Sequence, residues 1–171
     1  MNITLEPIND KELSNFKKDM QEAFEKGLNI GNDEKIRKEI LPEIDINNSL
    51  LKKGSIAYGA KKDGKIIGGA IVNINEETQH NHLEFIYVKF GIQNKGLGKE
   101  IWKQIEKLYP NTKIWGTETP YFDQRNIHFY INSCGFHAVE FFNKYHKDPH
   151  SSQNSGPECY FRFEKKMKEK D

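Results

Sequence analysis

The sequence is poor in cysteine, and its two cysteines, Cys134 and Cys159, lie far apart. This small number excludes the disulfide-dense framework of small secreted domains. A single disulfide between the two stays open, but the interpretation we favour is a pair of unpaired, buried thiols in a reducing cytosol.

Long apolar runs and an excess of one charge are also absent. No run is long enough to cross a bilayer, and the first residues do not have the architecture of a signal peptide. Lys and Arg number 26 against 25 Asp and Glu, so the formal net charge is +1. This balance indicates no general affinity for nucleic acid or for an anionic membrane. We therefore expect a soluble, cytoplasmic protein, and the length of 171 residues suits one domain over residues 1–171.

What the sequence does contain is a change of hydrophobic period within residues 83–109. Residues 83–89 are mostly apolar and aromatic, which predicts a strand buried on both faces. The last part of the segment has an apolar stripe at helical spacing, with lysines outside it. The stripe consists of Leu97, Ile101, Ile105 and Leu108. The predicted order is therefore strand, glycine-containing turn, helix.

The turn before this helix has a chemical consequence. The first N–H groups of a helix have no partner inside it, and the helix dipole adds partial positive charge there, so phosphate groups bind well at that end. Gly96 and Gly98 lack a Cβ, so backbone amides can approach a ligand closely, and Lys95 and Lys99 add positive charge. Taken alone, two glycines before a helix are explained equally well by a plain turn.

The turn also resembles the central signature of the GNAT superfamily of acetyl-CoA-dependent N-acetyltransferases. That signature is Arg or Gln, two residues, Gly, one residue, then Gly or Ala, opening a helix after an apolar strand, and residues 93–98 fit every fixed position. The resemblance implies that acetyl-CoA is the co-substrate, with its pyrophosphate on the turn and its pantetheine arm alongside the strand. The implied contacts are Val88, Phe90, Gln93, Asn94, Lys95, Gly96, Leu97, Gly98 and Lys99.

Residues 126–136 resemble the second GNAT signature, which has an Asn, later an aromatic–Tyr pair, and then Gly-Phe. The resemblance implies that Asn126 contacts the cofactor arm and that Tyr130 is the general acid for the departing thiolate. The helical period also places Ile127, Ile131 and Cys134 on one apolar stripe.

The spacing in this second segment departs from the family pattern. Four residues separate Tyr130 from Gly135, where the commoner form has three. One residue corresponds to about 100° of rotation on a helix, so Ile131 occupies the usual Tyr position if Gly135 fixes the register. Asn126 is also nearer the Gly-Phe pair than usual. Tyr130 is therefore either the catalytic acid or a core aromatic residue, and a local helix irregularity would restore the alignment.

The remaining strand signals define the expected fold. Two strand-like runs flank Asp63-Gly64, which predicts a hairpin. Residues 113–119 follow the helix as a strand, which a right-handed crossover would place parallel to the strand before it. These strand signals, together with the resemblance to the GNAT superfamily, lead us to expect an α+β fold with three layers. In this fold, helices flank a mixed, mostly antiparallel sheet of about seven strands. The resemblance further implies that the parallel strands, residues 84–88 and 115–119, splay apart at the cofactor site.

One carboxylate lies where the expected chemistry needs a base. Acetyl transfer to an amine requires a neutral amine, and a carboxylate can take its proton directly or through water. Many family members carry a Glu near the position of Glu84, which makes it the candidate general base. If the strand is regular, its side chain shares a face with Ile86 and Val88. The alternative is that Glu84 lies at the wet end of the strand without a role. Glu118, on the neighbouring strand, is a candidate for attracting a cationic acceptor.

These residues predict an N-acetyltransferase that moves an acetyl group from acetyl-CoA to a primary amine of a small molecule or peptide, by direct transfer in a ternary complex. The alternative is a non-catalytic sensor or regulator that binds coenzyme A. A different phosphate ligand is disfavoured, because neither the Walker nor the dinucleotide fingerprint is present. His80 and His82 have no third ligand near them in sequence, so we expect no metal. Since family members often dimerise, a homodimer is a further expectation.

Overall fold

The computed structural model describes residues 2–28, 41–92, 96–150 and 159–169. In chain order these residues form β1 (Thr4–Pro7), α1 (Leu13–Leu28), α2 (Glu43–Leu51), β2 (Ser55–Lys62), β3 (Lys65–Asn73), β4 (His80–Val88), α3 (Leu97–Leu108), β5 (Ile114–Pro120), α4 (Gln124–His128), a π-helical turn (Phe129–Ser133), β6 (His137–Phe142) and β7 (Tyr160–Lys166).

Within the described residues, seven strands form one sheet in the order β1-β2-β3-β4-β5-β7-β6. Every neighbouring pair is antiparallel except β4 and β5, which run parallel on either side of the crossover through α3. The expected fold class, a mixed and mostly antiparallel sheet with one parallel pair, is thereby confirmed.

The hairpin of β2 and β3 turns at the predicted dipeptide. Asp63 and Gly64 both have positive φ, 51° and 76°, which is the backbone that tight hairpin turns require. The glycines of β3 allow close packing of neighbouring strands. A Cβ on Gly68 would lie 2.5 Å from the carbonyl oxygen of Tyr87, and a Cβ on Gly69 would lie 2.4 Å from that of Tyr58.

Two apolar clusters cover the two faces of the sheet. Successive residues of a strand point to opposite faces, and Ala70 and Val72 belong to one cluster while Ile71 belongs to the other. The larger cluster packs α3 onto the sheet, with Trp102 against Trp115 at a ring-centroid distance of 5.1 Å. The smaller cluster packs α1 and α2 onto the opposite face.

The π-helical turn after α4 absorbs the extra residue in the second signature segment. The N–H of Cys134 donates to the carbonyl of Phe129 at 3.0 Å, a bond to the fifth residue back instead of the fourth. As a result Tyr130 is 2% exposed, whereas Ile131 is 37% exposed. The prediction that Ile131 belongs to the apolar stripe was therefore wrong, because that stripe assumed a regular helix.

Both cysteines are unpaired, as expected; Cys134 is buried and Cys159 is half-buried. None of the helices in the described ranges is both long enough and apolar enough to span a membrane.

Candidate functional site

The parallel strands β4 and β5 stay together over only a short distance. Their ladder has three residue pairs, from His80 with Ile114 to His82 with Gly116. The Thr117 hydroxyl then donates to the carbonyl of Leu83 at 2.9 Å. Beyond this bond the described parts of β4 and β5 form no further pairs, so a gap opens between them toward their C-terminal ends.

A cavity of about 370 Å³ lies at the open end of this gap. It is lined by the last residues of β4, the first turn of α3, the segment from α4 into the π-helical turn, and the second half of α1. Six of the residues predicted to bind the cofactor line it: Val88, Gly96, Leu97, Gly98, Lys99 and Asn126.

The start of α3 presents backbone to the cavity. Gly96 precedes the helix with φ 72° and ψ 12°, a left-handed conformation that favours glycine, and no side-chain hydrogen bond from the described residues caps the helix. A Cβ on Gly98 would lie 3.0 Å from the ring of Phe129 and 3.6 Å from Cγ2 of Val88. A larger residue at position 98 would therefore push into the cavity wall.

These features fit a ligand with a diphosphate and an extended, partly apolar arm. The amides at the start of α3 are suited to bind the anion, and Lys99 adds a positive charge beside them. Ile86, Val88 and Phe129 give an apolar wall to the remainder of the cavity. Coenzyme A has both parts, so the residues present are chemically suited to it.

Four of the predicted cofactor contacts are not among the described lining residues. Phe90 is 42% exposed, and the Lys26 ammonium lies 4.4 Å from the centroid of its ring. The structure thus places Phe90 against the end of α1 instead of in the cavity wall. Gln93, Asn94 and Lys95 lie outside the described residues.

Two charged residues of the cavity wall escaped the sequence analysis. Asp123 is 6% exposed and caps α4, accepting from the N–H of Asn126 at 3.1 Å, and burial raises the pKa of its carboxyl. Asp is one of the residues preferred at a helix N-cap, so a cap at Asp123 was a recognisable signal. Arg125 lies over Gly27, where a Cβ would come within 2.9 Å of Nη1. No signal in the sequence links Arg125 with Gly27, because these two residues are about a hundred positions apart.

Tyr130 lies beside the point where the strands part, although it does not line the cavity itself. Its ring packs among aromatic side chains, with centroids 5.8 Å from Phe136 and 5.9 Å from Phe163. Burial raises the pKa of Tyr130, while a hydrogen bond with Thr117 opposes that shift. The phenol therefore keeps its proton at neutral pH.

Glu84 does not lie on the face that a regular strand would give it. Val72 pairs with Leu83 and Ile71 with Phe85, so Glu84 is the extra residue of a β-bulge. The expectation that its side chain shares a face with Ile86 and Val88 was wrong for this reason. Instead, both carboxylate oxygens bind the ammonium of Lys52, at 3.0 and 3.2 Å.

Glu118 on β5 lies close enough to this ion pair to interact with it electrostatically. Its neighbours Thr117 and Thr119 are buried, and strand alternation turns Glu118 to the opposite face. Desolvation raises the pKa of Glu118, and the negative charges of Asp148 and Glu84 add to that effect, while Lys52 opposes it. We refer to Lys52, Glu84 and Glu118 as the charged cluster.

The described residues contain no group of three or more His, Cys, Asp or Glu that is arranged to hold a metal ion.

A sheet that parts beside a helix start, with a cavity at the parting, is the architecture of the acyl-CoA-dependent acetyltransferases. Residues 16–136 match the acetyltransferase (GNAT) family, and the chain belongs to that family. The chain is also 40% identical to the uncharacterized protein YrkN of Bacillus subtilis strain 168, over 179 residues that cover 99% of this chain and 96% of the relative.

Solved structures support the same fold. The ribosomal-protein-S18-alanine N-acetyltransferase of Escherichia coli aligns with a TM-score of 0.70 at 14% identity, over 99% of this chain and 97% of the other. The PaiA N-acetyltransferase of Thermoplasma acidophilum, crystallised with coenzyme A, aligns with a TM-score of 0.67 at 18% identity, over 98% and 100%.

Proposed function

We propose that this protein transfers an acetyl group from acetyl-CoA to a primary amine of a small molecule or peptide, directly and within a ternary complex. The observation that carries this proposal is the gap between β4 and β5, with helix amides and a cavity at one end and the charged cluster at the other. Membership of the acetyltransferase family and the coenzyme A complex of a protein with the same fold support the choice of donor.

The amides of residues 96–99 would bind the pyrophosphate, and Val88 and Asn126 would contact the pantetheine arm. Acetyl-CoA would supply the activated acetyl thioester when bound. We assign the same role to Gln93, Asn94 and Lys95 as the sequence indicates, since they complete the signature. The apolar wall excludes water from the arm, which favours transfer to an amine over hydrolysis.

Glu84 would act as the general base, taking a proton from the acceptor ammonium directly or through water. Tyr130 would act as the general acid for the sulfur, since its phenol carries a proton at neutral pH and its hydrogen bond with Thr117 holds it at the parting of the strands. Glu118 would attract a cationic acceptor, because it adds a second carboxylate to the same face.

One observation favours the alternative of a non-catalytic protein that binds coenzyme A. Glu84 is already paired with Lys52, so the candidate base is not free to receive an acceptor in this conformation. A sensor would keep this ion pair, whereas an enzyme must open it.

Two measurements on the same protein distinguish the enzyme from the non-catalytic sensor. Calorimetry gives the affinity for acetyl-CoA, and a thiol assay with mass detection gives release of coenzyme A in the presence of a panel of primary amines. We expect binding together with an acetylated product. Tight binding without transfer to any amine would favour the sensor, and absence of binding would reject both functions.

A further inference from the structure

One member of the charged cluster is itself a primary ammonium group. Lys52 follows α2, and its Nζ lies 3.0 and 3.2 Å from the two carboxylate oxygens of Glu84. We propose that Lys52 is an internal acceptor, which the protein acetylates on its own Nζ when acetyl-CoA is bound and no external amine competes. This inference rests on the proposed function, with Glu84 as the base.

The position of Lys52 follows from two irregular points in the chain. The β-bulge turns Glu84 toward the face of the sheet that α2 covers. Lys52 lies just past the end of α2, in an extended conformation with φ −64° and ψ 140°. Its side chain can therefore reach across to the carboxylate at the parting of β4 and β5, where an acceptor amine would have to bind.

The cavity comes close to the same point. Tyr87 lines the cavity and belongs to the apolar cluster on the face toward which Glu84 turns, and it is three residues beyond Glu84, a separation of about 10 Å at the usual rise of a strand. An arm that extends from Val88 toward Ile86 would bring the thioester toward the carboxylate. The flexible four-carbon stem of lysine can close the remaining distance.

The ion pair itself permits this movement. The side chain of Lys52 is 55% exposed, whereas that of Glu84 is 10% exposed. The ammonium lies mostly in water, so its own movement costs little desolvation, and the nearly buried carboxylate that it leaves is neutralised by the proton it takes from Lys52. The positive charge of Lys52 also opposes the rise in the pKa of Glu118 on β5, while its hydrogen bonds go to Glu84 on β4.

The transfer balances with the groups already named. Glu84 takes one proton from the Lys52 ammonium, and the freed lone pair of Nζ forms the bond to the acetyl carbon. The bond from that carbon to sulfur breaks, and its electron pair leaves with the sulfur. Of the two protons that Nζ loses, one ends on the sulfur through Tyr130 and the other passes from Glu84 to water. Lys52 becomes a neutral amide, so its ion pair with Glu84 is lost and the carboxylate is released.

The test follows acetylation of individual lysines by peptide mass spectrometry after incubation of the full chain with acetyl-CoA and no amine. Lys53 is the matched internal control, because it is also exposed but has no described contact with Glu84. We expect Lys52 to be acetylated about a hundredfold faster than Lys53, a ratio within the contribution of a positioned general base. The rate should not depend on protein concentration, since the acceptor is internal.

Variants make the assignment specific. Glu84→Gln should remove the advantage of Lys52 over Lys53, whereas Lys53→Arg should leave acetylation of Lys52 unchanged. Equal rates at Lys52 and Lys53, an advantage that survives Glu84→Gln, or a rate proportional to protein concentration would overturn the inference. Calorimetry with acetyl-CoA and a panel of external amines, run on the same samples, distinguish failure of this inference from failure of the proposed function. If external amines are acetylated and Lys52 is not, only this inference is overturned. If acetyl-CoA does not bind, the proposed function is overturned as well.

Discussion

The cavity wall at the start of α3 and the charged cluster lie at two ends of one gap, but they are built differently. The cavity wall uses backbone amides and two glycines from one short stretch of chain. The charged cluster uses side chains from three separate elements, namely the end of α2, β4 and β5. We infer that backbone conformation determines ligand binding at the cavity wall, whereas ion pairs that water can replace determine the properties of the charged cluster.

The largest effect should come from filling the cavity wall. Gly98→Leu should weaken acetyl-CoA binding by at least about a hundredfold, or about 2.8 kcal/mol, because the side chain must displace Phe129 or enter the cavity. Titration calorimetry measures this. The control is Gly64→Ala, which strains a backbone with φ 76° in a hairpin turn, where no atom lies within 4 Å of the new Cβ. Normal affinity in Gly98→Leu would refute the site.

The next change addresses the charged cluster without touching the cavity wall. Glu84→Gln should lower kcat about 10²-fold or more, the usual loss when a general base is removed, and leave the affinity for acetyl-CoA unchanged. Steady-state kinetics and titration calorimetry on the same variant give both numbers. An unchanged kcat would remove Glu84 from the mechanism, and a parallel loss of acetyl-CoA affinity would break the separation between the two regions.

Tyr130 lies between the two regions, and Tyr130→Phe distinguishes its two interpretations. Loss of its hydrogen bond should cost about 1 kcal/mol of the free energy of unfolding in either case. If Tyr130 is the general acid, the rate should also fall about 10²-fold. Denaturant unfolding and steady-state kinetics on the same variant give both numbers. A full rate with only the stability loss would identify a core aromatic residue.

The smallest effect concerns the pH dependence of stability at Glu118. Its pKa is raised in the folded protein, mainly by desolvation, so folding is favoured while the carboxyl is protonated. The contribution is present below the ordinary pKa of Glu and is lost as the pH rises through the raised value. Glu118→Gln should therefore flatten the decline of the unfolding free energy over that window.

Urea denaturation at a series of pH values measures this decline. Glu77→Gln, in an exposed turn, is the matched control and should follow the unmodified protein. Identical curves for Glu118→Gln and the unmodified protein would mean that the carboxyl is not desolvated.

Much of the fold was predictable from local patterns. The change from a continuous apolar run to a helical period in residues 83–109 predicted β4 and α3, and Asp63-Gly64 predicted the turn between β2 and β3, all of which the structure confirms. The parallel arrangement of β4 and β5 followed from the crossover rule. These features depend on residues that are close in sequence, so local patterns contain the necessary information.

The irregular points were not predictable in the same way. The π-helical turn and the β-bulge each shift one residue relative to an ideal element, which moved Ile131 to the surface and turned Glu84 away from Ile86. An ideal period cannot reveal such a shift, because the packing of the whole sheet decides where it is accommodated. The departure in spacing at Tyr130 was the signal in the sequence for the irregularity after α4, and no comparable signal marked the bulge at Glu84.

The sequence by itself determined the order of the strands and helices around the turn and placed two glycines where a helix begins, because backbone geometry responds to immediate neighbours. Only the tertiary structure decided which side chains meet across the gap. Lys52 and Glu84 are 32 residues apart, and Arg125 and Gly27 are farther still. Contacts of this kind arise from how the helices pack on the two faces of the sheet, and that packing depends on the summed burial of the apolar clusters rather than on any short motif.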